Sequence, residues 1–175
     1  MDPRSRNDYG NSYSLVEFVR SYADRLGAAL KLVDIGALER GLMLLTEAGR
    51  EGRHIYAIGN GGSAAIADHL CCDMTKGTDA LGHPPLMTHS MGANIALYSA
   101  LANDFSFEDV FSKEIDFFGR KDDVLIAISS SGNSPNIVRA VKTAREKGMF
   151  IIGLSGFEGG GNSQSLPMSP STCRL

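Results

Sequence analysis

The sequence predicts an α/β protein, a parallel sheet flanked by helices, and three observations carry that expectation. The segments His54–Ile58, Val124–Ile128 and Phe150–Leu154 are short and apolar without polar alternation, as in strands buried on both faces. Stretches of helical period separate them, which is the order of a parallel sheet with crossover helices. Two polar loops, Gly59–Ser63 and Ser129–Pro135, each follow such a strand and precede such a helix. Open α/β sheets bind ligands beyond the carboxyl ends of their strands, where both loops would lie.

Taken in order, residues 1–13 are polar and expected to be flexible. From Leu15 to about Ala48 apolar residues recur at three and four, which predicts two helices broken near Gly36. So long an amphipathic stretch suits either a subunit interface or simple core packing. After the strand His54–Ile58, a helix is expected from Ala64 to about Thr75. The turn residues Gly82 to Pro85 precede a second strand near Leu86–His89. Helices follow at Asn94–Leu101 and Phe107–Phe118, then the strand Val124–Ile128, a helix over Asn136–Lys147, and the strand Phe150–Leu154. One domain is expected over residues 14–160, and a tail without helix or strand period over 161–175.

Composition excludes several classes. Seventeen Lys and Arg against 20 Asp and Glu give a net charge of −3 with no basic block, which argues against a nucleic-acid partner. No apolar run approaches the roughly 18 residues of a membrane helix, and the first residues lack the apolar centre of a signal peptide. Three cysteines, two of them adjacent at Cys71 and Cys72, do not make a disulfide framework. The expected compartment is the cytoplasm.

In the second loop, Ser134 is placed as an N-cap and Pro135 as the first helical residue. The amides of that helix start, with the hydroxyls of Ser129, Ser130, Ser131 and Ser134, form a candidate phosphate site. Turn and cap duty is the plainer explanation, but four serines in six positions exceed what a turn requires. The first loop reads Gly59-x-Gly61-x-x-Ala64, which matches the dinucleotide fingerprint in its Ala-ending form. That fingerprint expects a carboxylate at the end of the second strand. Thr88-His89-Ser90 stands there instead, and no lysine follows the loop as in a nucleoside triphosphate site. A small polar ligand between the two loops fits better.

Gly59-Asn60-Gly61-Gly62-Ser63-Ala64, a helix carrying His69, Asn103-Asp104-Phe105, and Ser129-Ser130-Ser131-Gly132-Asn133-Ser134-Pro135-Asn136 together resemble the sugar isomerase (SIS) domain, within it the phosphoheptose isomerase group. The resemblance runs from about Leu15 to Gly160. It implies a three-layer, flavodoxin-like parallel sheet and a homotetramer with active sites between subunits. It also implies an aldose–ketose isomerase converting sedoheptulose 7-phosphate to a heptose 7-phosphate through an enediol, for surface polysaccharide synthesis. The implied substrate-binding residues are Asn60, Gly61, Gly62, Ser63, Asn94, Ser129, Ser130, Ser131 and Ser134. Many members carry zinc, one per subunit, held partly by a His and a Glu four residues on; here that pair is His69 and Asp73. The family's Glu is also its proposed base, which makes Asp73 the candidate catalytic residue, with one methylene less of reach. The spacing does put both on one helix face, and Cys72 could offer a thiolate instead. A structural histidine is the alternative for His69. Asn94 stands where the family usually has Asp and cannot accept a proton. His83 and His89 suit loop or sheet-edge roles, Tyr56 the core, and Lys76 a solvated helix end.

Members of the family continue past the fourth strand with a fifth strand and a final helix bearing an acid–base His. The tail 161–175 has no His, so the last strand and helix are expected to be missing and turnover to be low. A reading-frame shift near Gly159–Gly161 is the expected cause: codons exist for this tail whose alternative frame reads a helical turn followed by an alternating strand. Related members keep the frame without isomerase activity, so a sugar-phosphate-binding or assembly protein is the rival expectation.

Overall fold

The computed structural model describes residues 14–79, 82, 84–156 and 172–174, the last three by their backbone. The chain forms two compact units, one through Asp34 and one from Ile35. The first holds a single described helix, α1 (Leu15–Lys31). A capping box starts it: the Glu17 amide donates to Ser14 Oγ at 3.3 Å, and the Ser14 amide donates to the Glu17 carboxylate at 2.9 Å. None of its residues is buried; Val16, Val19, Tyr22, Leu26 and Leu30 are all exposed.

The second unit comprises α2 (Ile35–Arg50), β1 (His54–Gly59), α3 (Gly62–Thr78), β2 (Met87–Ser90), α4 (Ile95–Asp104), α5 (Val110–Phe118), β3 (Val124–Ser129), α6 (Pro135–Glu146), β4 (Phe150–Ser155) and β5 (Thr172–Arg174). The sheet runs β2-β1-β3-β4-β5, and every pair is parallel. From β1 the chain crosses outward to β2, then returns to the other side of β1 to form β3. The topological switch point, where open sheets leave a crevice, therefore lies between β1 and β3.

Alternating residues of the strands feed two cores, as the pleat requires. Tyr56, Ile58, Leu125, Ala127 and Ile151 pack with Phe111 and Ile115 of α5 and Ile137 and Val141 of α6. Ile55, Ala57, Val124, Ile126 and Ile152 pack with Ala37 and Ala48 of α2 and Ala67 of α3. The result is the expected three-layer α/β sandwich. Asp123, 4% exposed, ties the starts of two strands together: its carboxylate accepts the amides of His54 at 3.0 Å and Arg120 at 2.9 Å.

Three boundaries differ from the sequence reading. The first two helices break at 32–34, with Leu32 closing α1, and Gly36 lies in the first turn of α2. A glycine marks a nearby helix end without saying on which side of it the break falls. The Phe107–Phe118 helix starts only at Val110, because Ser106 and Asp109 form a turn, Ser106 Oγ donating to the Asp109 carboxylate at 2.7 Å. The tail, expected to supply no strand, lays the three residues of β5 parallel beside β4. An open sheet edge offers unpaired backbone groups that pair without any side-chain pattern, so the missing strand is a correction of this one segment. Residues 1–13 and the rest of 161–175 lie outside the described residues.

One buried group opposes the fold. Glu114 of α5 is 3% exposed, and its Oε1 has no hydrogen-bond partner among the described residues. Burial pushes its carboxyl up to about 7, so the native state holds a proton that the unfolded chain has already released. Native stability is therefore greatest at low pH as far as this group is concerned, and the contribution is lost as pH rises from about 4.5 through about 7. Glu114→Gln should remove this slope, which is at most about 1.4 kcal/mol per pH unit. Urea midpoints of both proteins at pH 5, 6, 7 and 8 (about evenly spaced points across the window) check it: parallel curves would contradict the assignment.

Candidate functional site

The first loop is built on close backbone approach. A Cβ on Gly59, at the end of β1, would lie 2.4 Å from the Ser63 carbonyl oxygen, so only glycine lets α3 start against the strand. Gly61 has a φ of +54°, which glycine adopts at little cost. The Ser63 amide then donates to the Asn60 carbonyl at 2.9 Å and the Ala64 amide to the Gly61 carbonyl at 3.0 Å. Gly62 opens α3, and the amides of a helix's first turn have no partner within the helix.

The second loop leaves β3 at Ser129, which is 7% exposed. Ser129 Oγ accepts the Gly132 amide at 3.2 Å and lies 3.3 Å from Ser134 Oγ. The Asn133 amide donates to Ser131 Oγ at 3.3 Å, and the Gly156 amide donates to the Ser130 carbonyl at 3.1 Å, joining the loop to the end of β4. Ser134 is the N-cap of α6 and Pro135 its first residue, as the sequence indicates, but the Ser134 hydroxyl makes no capping bond. It sits beside Ser129 instead. The hydroxyls of Ser130 and Ser131 belong to exposed residues. Two hydroxyls within one hydrogen-bond length, at a helix start whose dipole favours negative charge, can hold an anion.

Two carboxamides join the loops. Asn60 Nδ2 donates to Asn136 Oδ1 at 2.9 Å, and Asn136 Nδ2 donates to Asn60 Oδ1 at 2.8 Å. Asn136 is 1% exposed, and its Oδ1 also accepts the Ile137 amide at 3.0 Å. Sequence reasoning placed Asn60 against the ligand and gave Asn136 no role. In the structure Asn60 reaches across to the second loop, and Asn136 is the buried member of the pair. An Asn directly after Ser-Pro at a helix start was the only signal available.

The other site residues lie apart from this crevice floor. Asn94 is exposed and is the N-cap of α4, its Oδ1 accepting the Leu97 amide at 3.1 Å. Asn and Asp cap about equally well, so the Asn found here preserves that bond. His69 and Asp73 form an i, i+4 pair on α3, Nδ1 to Oδ2 2.9 Å, with side chains 77% and 67% exposed. His69 is seven residues beyond Gly62, about 10 Å along the helix. Among the described residues no third His, Cys, Asp or Glu gathers with them, and Cys72 is exposed. Imidazole and carboxylate suit zinc, but two exposed donors do not close a site that takes three or four protein ligands. Lys76 is exposed in the last turn of α3, and Tyr56 is a core residue. His89 lies on the sheet-edge strand β2, its Nε2 2.8 Å from His54 Nδ1. His83 lies outside the described residues.

Residues 17–156 match the SIS domain family. The chain belongs to the SIS domain family. The phosphoheptose isomerase of Nitratidesulfovibrio vulgaris is 43% identical over 115 residues, which are 66% of this chain and 54% of that protein. Solved phosphoheptose isomerases from Neisseria gonorrhoeae and Francisella tularensis superpose with TM-scores of 0.77 and 0.82 at 31% and 25% identity. They cover 92% and 93% of this chain, and it covers 84% and 86% of theirs. The chain spans between 54% and 62% of the length of the first three curated relatives it matches.

For this SIS domain the amide pair is the measurable joint. Asn136→Ala should lower stability by about 2 kcal/mol, since it leaves the Asn60 carboxamide without its partner. In a double-mutant cycle, Asn60→Ala added to Asn136→Ala should cost little more, giving a coupling of at least about 1 kcal/mol from denaturant unfolding. Additive single effects would show that the two amides do not act together.

Proposed function

We propose that this chain is the sugar-phosphate-binding part of an aldose–ketose isomerase acting on sedoheptulose 7-phosphate. The observation that carries this reading is the serine loop at the switch point, with Ser129 and Ser134 Oγ 3.3 Å apart at the start of α6. The phosphate of the substrate sits there, anchored by those hydroxyls, by Ser130 and Ser131, and by the first amides of α6. Gly61, Gly62 and Ser63, at the opening turn of α3, face the sugar hydroxyls. Holding the phosphate fixes the reacting end of the substrate, which is how a remote group lowers the barrier of the chemical step.

The reaction moves a proton from C1 to C2 while the carbonyl passes from C2 to C1. In this reading the Asp73 carboxylate takes the C1 proton, an enediol forms, and the same proton returns to C2 as the hydroxyl proton passes from O1 to O2. His69, bonded to Asp73, holds that carboxylate in place. His69 and Asp73 are also two donors of the kind zinc takes, and a bound zinc would supply charge to polarise the carbonyl; the described residues bring no third ligand to them. The exposed apolar face of α1 supports self-association, for which a homotetramer is the proposed form. No described helix is long and apolar enough to cross a membrane, and the cytoplasm is the proposed compartment, with heptose for surface polysaccharides as the product's use.

The test is conversion of sedoheptulose 7-phosphate to the aldose, followed with and without zinc. It is run on the 175-residue chain and on a form whose tail is read in the alternative frame. We expect activity to appear or rise at least about tenfold in the second form. Ser129→Ala with Ser134→Ala should raise KM about tenfold or more, as expected for lost charge-assisted hydrogen bonds. Saturable binding without turnover in both forms would replace the enzyme with a non-catalytic sugar-phosphate-binding protein.

A further inference from the structure

A second cavity, of about 470 Å³, lies on the α5 side of the sheet near its β2 edge; it shares no residue with the two loops, and Asn94 is the one implied substrate residue on its lining. Three rings form its wall: His54 and Tyr56 of β1 and His89 of β2, with centroids 5.0 to 6.0 Å apart. The ring positions are held in turn, His54 Nδ1 against His89 Nε2 at 2.8 Å and the Tyr56 hydroxyl donating to the Phe118 carbonyl at 3.0 Å. Glu114 and Phe117 of α5 and Arg120 also line it.

The charges in this cleft are unbalanced in a specific way. Glu114 is 3% exposed and its Oε1 has no partner among the described residues. A buried carboxylate without a partner is costly, and a folded protein relieves it by protonation or by pairing with a cation. The aromatic neighbours do not compete for that role. Burial holds Tyr56 protonated, up to about 12, and, with the nearby His54, lowers His89. Glu114, raised to about 7, is thus only partly ionised at neutral pH, and a cation beside it would complete its ionisation; it shares the lining with π surfaces that attract cations. The volume is that of a small-molecule site.

We propose that this cleft binds a small organic ammonium ion, its head between the Glu114 carboxylate and the rings of His54, Tyr56 and His89. Such a head pairs the buried charge and places its alkyl groups against aromatic faces. Arg120, on the same lining, would receive an anionic end of the same ligand. The head therefore comes either from a simple quaternary amine or from a zwitterion, and these are distinguished by whether Arg120 matters.

The proposal stands apart from the isomerase reading, because its test is binding and not turnover. Calorimetry on the full chain would compare choline with its neutral isostere 3,3-dimethylbutan-1-ol, and with glycine betaine as the zwitterion. We expect choline or betaine to bind about tenfold or more tightly than the neutral alcohol, the factor that a desolvated cation–π contact supplies. Glu114→Gln should abolish that preference while the protein remains folded by circular dichroism. Arg120→Gln should weaken betaine about tenfold if the ligand is a zwitterion, and leave choline unchanged. The comparison of choline with its isostere needs no variant. Equal binding of the two, an unchanged preference in Glu114→Gln, or the absence of saturable binding by both cations would overturn the proposal.

Discussion

The reciprocal hydrogen bonds between Asn60 and Asn136 are the constraint on which the site depends. The two loops leave different strands and return into different helices, so nothing in their local sequence fixes the distance between them. A carboxamide pair does, because each side chain supplies a donor and an acceptor to the other at 2.8 and 2.9 Å. At a buried position such a pair tolerates no shift: moving either loop by an ångström leaves two polar groups without partners. The third bond, from the Ile137 amide to Asn136 Oδ1, ties the pair to the first turn of α6, so the spacing of the loops and the start of α6 are set together.

The opposite end of the same strands is held by a different device. Asp123 accepts the amides of His54 and Arg120, fixing where β1 begins relative to β3. With Asp123 at one end and the amide pair at the other, the two central strands are clamped in register over their whole length. The crevice at the switch point is then a rigid floor, which is what a phosphate anchor requires. Glu114 shows the reverse arrangement: a buried carboxyl whose Oε1 has no partner among the described residues, on a helix that also buries Val110, Phe111, Ser112 and Ile115.

Much of this was legible in the sequence, and the residues show why. β1, β3 and β4 are apolar on both faces, and only a sheet covered on both sides asks for that. Ser134-Pro135 announces the start of α6, and Gly59 and Gly61 announce a turn that side chains would block. What was not legible is long-range. Asn136 reads as one more polar residue at a helix start, because its partner lies 76 residues away. Glu114 reads as an ordinary surface charge within Ser-Lys-Glu-Ile-Asp, and only the packing of α5 against the sheet buries it. The position of β5 follows from an open strand edge that accepts any backbone, so no side-chain period could have signalled it.

The two halves of the proposed chemistry stand in different states of completion within the described residues. The phosphate end is closed by the chain's own bonds: Ser129 is buried, the loops are joined, and the first turn of α6 is in place. The reacting end is open, since His69 and Asp73 are 77% and 67% exposed. Nothing there excludes water, and an enediol formed there would be exposed to competing protonation. Binding strength and catalytic power therefore separate in this fold: the first needs only the crevice between β1 and β3, while the second needs a further surface laid over α3. A chain with the first and without the second would hold a sugar phosphate firmly and convert it slowly.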